Sequence, residues 1–257
     1  MYFNDVFILI YVLIAIIGLI VGKFTAWCNM RLPENKKIFS REFFKENKEG
    51  LDANYIFMIV TAVIYVTLLY RFGIQKQDIF KNLDLLKFLI LTPMLLLTFS
   101  IDFKHRIIPN RLNLTILEFG LVLTFIYGIT NINMAKDYIL GMVAGASIFI
   151  VITILGWIIS GREAMGIGDV KFMGAVGLYF GVSGIAEISI LSFFVAAICS
   201  IIILTVRILI LKRKDEYIAF GPFLSISTFI CIFMPQSFIL NTFLAFCKNL
   251  GDKILIF

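Results

Sequence analysis

The chain has 257 residues, 60% of them hydrophobic and 16% charged, with a mean hydropathy of +0.98. So apolar a chain cannot be a water-soluble domain; the bilayer is its solvent, and an all-α, polytopic membrane protein is the expected class. The net charge of +6 is that of loop lysines and arginines that set topology and meet anionic lipid, and it calls for no nucleic-acid partner.

With about 20 apolar residues per span, about eight transmembrane helices are expected, roughly at 5–27, 55–72, 84–101, 112–131, 137–160, 168–182, 184–210 and 218–240. The first run, Asp5 to Trp27, is longer than a signal-peptide core and has no Lys or Arg before it. It is therefore expected to stay as a transmembrane helix and not to be removed. Asn29 to Asn54 is the longest polar loop, and the spacing of Ile38, Phe39, Phe43 and Phe44 fits one face of a short amphipathic helix on the membrane surface, or a solvated connector with lipid-facing aromatics.

The sixth segment is short. Its Gly177, Gly181 and Gly184 predict a helix that packs closely on its neighbours or breaks near the far face. The tail, Asn241 to Phe257, is apolar with Lys248, Asp252 and Lys253, a pattern suited to lying along the interface. Trp27 and Trp157, at helix ends, are expected as interface anchors. Cys28, Cys199, Cys231 and Cys247 form no C-x-x-C pair; they fit as small apolar packing residues, and no metal site is expected.

Basic residues concentrate in alternate loops, among them Lys36, Arg41, Lys104, Arg106, Arg111, Arg162 and Lys212 to Lys214. The positive-inside rule then puts the amino terminus outside and the loops after the first, third, fifth and seventh helices in the cytoplasm.

Two aspartates end up on that cytoplasmic face. Asp102 closes the apolar run Leu89 to Ile101 and opens the stretch Phe103-Lys104-His105-Arg106-Ile107-Ile108-Pro109-Asn110. Asp169 lies in Met165-Gly166-Ile167-Gly168-Asp169-Val170-Lys171-Phe172, where Gly166 and Gly168 let the backbone turn tightly and let an extended peptide approach the carboxylate. A solvated aspartate capping a helix is the plain alternative. Two carboxylates at equal depth can share one proton, one acting as base on a water and the other as acid, which is aspartyl protease chemistry.

Smaller features are consistent with either view. Lys171 can keep Asp169 ionised, bind an acidic group of a substrate, or snorkel to the interface. His105 can tune Asp102 or bind interfacial water. Pro109 and Asn110 are expected to end the loop and begin the fourth helix. Gly221-Pro222 reads as a helix break, which in a membrane must be buried in protein or line a cavity, and it is expected to shape a cleft.

Together these stretches resemble the type IV prepilin peptidase family, intramembrane aspartyl proteases of the G-x-G-D type. Asp102 to Asn110 looks like the family's first aspartate motif, and Gly166-Ile167-Gly168-Asp169-Val170-Lys171 is similar to the second. Ile218-Ala219-Phe220-Gly221-Pro222-Phe223-Leu224 resembles a late F-G-P-F-L segment, and Gly22-Lys23-Phe24 with Arg31-Leu32-Pro33 matches the ends of an early motif.

The resemblance implies a bacterial cytoplasmic-membrane endopeptidase with Asp102 and Asp169 as the catalytic pair and its active site on the cytoplasmic face. Type IV prepilins or pseudopilins would be its substrates, and the peptidase would need no cofactor. Residues 1–54 would form a first helix with its loop, and 55–257 the peptidase core. Longer members carry zinc-binding C-x-x-C pairs in the first loop and N-methylate the new amino terminus. Here Asn29 to Asn54 has no cysteine and Ala26 replaces an expected asparagine, so zinc is not expected, and S-adenosylmethionine is implied only if methylation persists.

Three rivals are weighed against this. A proton-coupled transporter would hold its acids near the bilayer midplane. A presenilin-like protease would have its first aspartate deep in a helix after a tyrosine, whereas Asp102 follows Ser100-Ile101. A structural subunit of a pilus machine has no need of the two acids.

Overall fold

The structure is a computed structural model describing residues 2–3, 6–34, 36, 51–74, 79–161, 165–206, 219–235 and 237–254. The face of Ile38, Phe39, Phe43 and Phe44 lies outside the described residues. Among the described residues, eight helices follow a two-residue antiparallel pair, β1 (Tyr2–Phe3) and β2 (Val6–Phe7). They are α1 (Ile8–Arg31), α2 (Leu51–Phe72), α3 (Ile79–His105), α4 (Asn110–Thr130), α5 (Ile132–Ser160), α6 (Ile167–Val206), α7 (Gly221–Phe233) and α8 (Phe238–Ile254). Six of them, α1 to α6, are long and apolar enough to cross a membrane; an all-α polytopic membrane protein results. The backbone groups into two units, Met1–Leu112 and Asn113–Phe257.

In the first unit α1, α2 and α3 pack on one another. Lipid supplies no hydrophobic drive for helices to associate, so close backbone approach has to. Gly18 and Gly22 provide it: a Cβ on Gly18 would fall 2.6 Å from Ala62 Cα, and one on Gly22 2.5 Å from Met58 Cα. Trp27, expected as an interface anchor, is instead buried at 6% exposure. The Arg31 guanidinium lies 4.1 Å from its ring centroid, one turn along the same helix face, so the indole serves a cation–π contact within the unit. Trp157 is exposed.

In the second unit α5 and α6 share the largest interface. A Cβ on Gly141 would lie 2.5 Å from the Gly177 carbonyl oxygen, and one on Gly145 2.5 Å from that of Met173. The two helices therefore run antiparallel along glycines, with backbones in contact. At Gly181 the dihedrals are φ 69° and ψ −172°, a conformation that favours glycine.

Here the chain folds back. The same Cβ on Gly145 would be 3.0 Å from Ile185 Cγ1, so Met173 O and Ile185 Cγ1 are within about 6 Å of each other. A straight helix would separate these residues by about 18 Å. Residues 167–180 and 182–206 are thus two antiparallel segments, as the short sixth segment and its glycines predicted. Asp137 Oδ1 accepts the Val182 N–H at 3.3 Å, capping the second segment where its amide groups have no partner of their own.

Gly221-Pro222 begins a helix and does not break one. Proline in the first turn lacks only an N–H that would be unpaired there anyway. The break in the expected 218–240 span falls at Met234, held in the β region just before Pro235, where proline disfavours helical geometry in the residue it follows. Beyond it, Glu187 Oε1 accepts the Leu240 N–H at 3.5 Å in the first turn of α8.

Candidate active site

The first expected site residue lies in the last turn of α3. Leu91, Leu95, Thr98 and Asp102 recur at helical spacing, and all four are buried, so Asp102 continues the inward stripe of its helix. Its side chain is 5% exposed, while the next residue, Phe103, is 72% exposed. The Asp102 carbonyl accepts the Arg106 N–H at 2.8 Å, and Arg106 adopts φ 58°, the left-handed turn that ends a helix. His105 is exposed, one turn from Asp102. Pro109 closes the loop, its carbonyl accepting the Leu112 N–H at 3.0 Å, and α4 starts at Asn110 as expected.

The second lies in the first turn of α6. Gly166 O accepts the Asp169 N–H at 3.0 Å, which sets Asp169 where unpaired amides and the helix dipole favour an anion. The side chain is 8% exposed. A Cβ on Gly166 would be 3.6 Å from Asp169 Oδ2; the carboxylate therefore folds back over the glycine, whose missing side chain keeps that contact free of a methyl group. Lys171, two residues on, is exposed and so points to a different side of the helix.

Around Asp169 the packing is specific. The glycine register of α5 on α6, Gly141 at Gly177 and Gly145 at Met173, carries Phe149 to the level of Asp169. Phe149 is fully buried and forms an aromatic cluster with Phe193 and Phe220, at centroid distances of 6.1 and 6.4 Å. Gly221 and Pro222, both buried, follow Phe220 directly, so the late motif is pinned by aromatic contacts at this same end of the unit.

A residue that the sequence did not single out joins them. Asn113 Nδ2 donates to the Gly168 carbonyl at 3.0 Å, and Asn113 Oδ1 is buried without a hydrogen-bond partner among the described residues. One turn further along α4, Ile116 O accepts from the Tyr179 hydroxyl at 2.9 Å, and a Cβ on Gly120 would touch Leu178. The only trace in sequence is an amide set between Leu112 and Leu114 near the start of α4. No group of three or more His, Cys, Asp or Glu side chains is gathered to hold a metal among the described residues.

Residues 89–204 match the model of the type IV leader peptidase family. The prepilin leader peptidase/N-methyltransferase of Xanthomonas campestris pv. campestris is 29% identical over 181 residues, 68% of this chain and 56% of the relative. That of Aeromonas hydrophila is 29% identical over 152 residues, 58% and 49% of the two chains. That of Escherichia coli K12 is 31% identical over 130 residues, 51% and 55%. The chain spans about half the length of these curated relatives. No solved structure matches it. Asp102, Asn113 and Asp169 all lie inside the family-matched stretch.

Proposed function

We propose, for a chain that over residues 89–204 belongs to the type IV leader peptidase family, that it is a membrane aspartyl endopeptidase removing short cytoplasmic leaders from type IV prepilin-like or pseudopilin substrates. The observation that carries this is the pair Asp102 and Asp169. Each is a buried carboxyl in a terminal turn of an apolar helix, inside the matched stretch, and burial of an acid beside a membrane is retained where it is used.

In the mechanism we infer, the pair holds one proton. The ionised carboxylate takes a proton from water as its oxygen adds to the scissile carbonyl, and the protonated partner gives its proton to the departing amine. Gly166, bare beside Asp169 Oδ2, leaves room for an extended substrate peptide. Gly168 lets the chain enter α6, and Gly221 and Pro222 hold the wall that Phe220 begins. Lys171, on the outer face, suits an acidic group of substrate or a lipid phosphate. The active site faces the cytoplasm on the basic-residue asymmetry of the loops, with 55–257 as the peptidase core.

The same names carry N-methyltransferase for the relatives. S-adenosylmethionine enters only with that second activity, and this chain's first loop has no thiol to build the zinc site of longer members. The test is incubation of the detergent-solubilised protein with prepilins carrying a basic leader that ends in glycine, followed by intact-mass analysis. Loss of the leader is the expected product, and an added methyl group reports the second activity. Cleavage within the transmembrane helix would favour a presenilin-like protease, and no cleavage would reject the peptidase.

A further inference from the structure

We infer that Asn113 is a positioning residue for Asp169, acting through the carbonyl of Gly168; this rests on the peptidase reading above. Asn113 lies in the first turns of α4 at 4% exposure, and its amide nitrogen is 3.0 Å from Gly168 O, the carbonyl of the peptide that leads into Asp169. Because that partner is an acceptor, the amide group facing it must be the NH2, which fixes the orientation of the side chain.

Two facts separate this contact from ordinary packing. Inside α6 the Gly168 carbonyl already faces the amide of residue 172 along the helix, so Asn113 uses its second lone pair and is not needed to satisfy it. The other end of the amide, Oδ1, is buried with no partner among the described residues, an arrangement that disfavours folding. Leucine has nearly the same shape, fills the site and carries no unpaired acceptor. A side chain that works against stability and adds a redundant bond is retained for where it puts the Gly168–Asp169 peptide, and hence the root of the carboxylate.

The experiment compares wild type with Asn113→Leu and Asn113→Asp, reading thermal unfolding, amide hydrogen exchange over residues 165–171, and steady-state cleavage of a prepilin. For Asn113→Leu we expect an unfolding temperature equal to or above wild type, faster exchange over 165–171, and kcat lower by about tenfold or more with KM within about twofold. For Asn113→Asp the introduced carboxyl can donate to Gly168 O only while protonated. Its activity relative to wild type should fall as pH rises through the carboxylate range.

Wild-type kcat in Asn113→Leu, or activity lost in step with unfolding temperature, would make the residue structural and overturn the inference. Unchanged exchange over 165–171 would overturn it whatever the enzyme cleaves. If wild type cleaves no prepilin, the peptidase reading fails, while the exchange measurement still decides whether Asn113 holds the turn.

Discussion

Tyr65 donates its hydroxyl proton to the carbonyl of Leu89, 2.7 Å away, and Leu89 is the residue whose carbonyl Pro93 leaves without a helical partner. Proline inside α3 has no N–H to give to the residue four before it. In a bilayer no water replaces that bond, so a neighbouring helix must. Tyr65, buried on α2, does so. Tyr65→Phe should therefore destabilise by about 1–3 kcal/mol. In a Pro93→Ala background, where the helical bond can form, the same change should cost well under half as much, and a double-mutant cycle in unfolding measurements checks it.

Asp102→Asn and Asp169→Asn should each abolish leader removal while membrane insertion and unfolding temperature stay near wild type. A pair that cannot pass a proton loses its chemistry and keeps its packing. Cleavage assays run beside unfolding scans separate the two, and near-normal cleavage by either variant would remove the pair.

Gly177→Ala should destabilise by about 2 kcal/mol or more, because a Cβ there would enter the backbone of Gly141 and Met142 in an interface built on glycine contact. Gly174→Ala, one turn earlier, would meet Ala146 Cβ at 3.4 Å, an ordinary contact, and should change stability by less than about 0.5 kcal/mol. Thermal unfolding of the two variants side by side decides it.

Gly166→Ala should leave the fold intact, since its Cβ would sit 3.6 Å from Asp169 Oδ2 without a clash. That methyl would sit against the carboxylate where an extended substrate peptide is proposed to approach, and kcat/KM should fall by about tenfold or more. An effect on unfolding temperature without one on cleavage would contradict this.

Treatment with strong chelators should leave peptidase activity unchanged, because the first loop, Asn29 to Asn54, contains neither cysteine nor histidine and four-coordinate zinc sites need such ligands. Elemental analysis of the purified protein, together with the activity assay, tests it.

Much of this was legible in the sequence because the relevant forces are local. Apolar run length marked the membrane segments, and Gly181 between two apolar runs marked the reversal, since only a residue without Cβ takes that turn cheaply. The two acids stood out because charge is rare in such runs. Features that depend on a distant partner left no local trace. Trp27 looks like any helix-end tryptophan until Arg31 is seen over its ring. Asn113 meets a carbonyl 55 positions away. At Gly221-Pro222 the motif was visible but its role was misjudged: the same proline that breaks a helix from within opens one from its first turn.

The reversal at Gly181 also sets a depth. From Asp169 to Gly181 the first segment of α6 rises about 18 Å, against a hydrocarbon thickness of about 30 Å. The segment is therefore shorter than one crossing of the hydrocarbon, so that with Gly181 at one interface Asp169 stops short of the other. A shortfall of roughly 10 Å would then have to be made up by thinning of the surrounding bilayer or by Asp169 hanging below the headgroups. In the proposed peptidase the stretch 169–181 would then work as a plumb line, its length in residues setting how far beneath the surface a peptide bond must be brought to be cut.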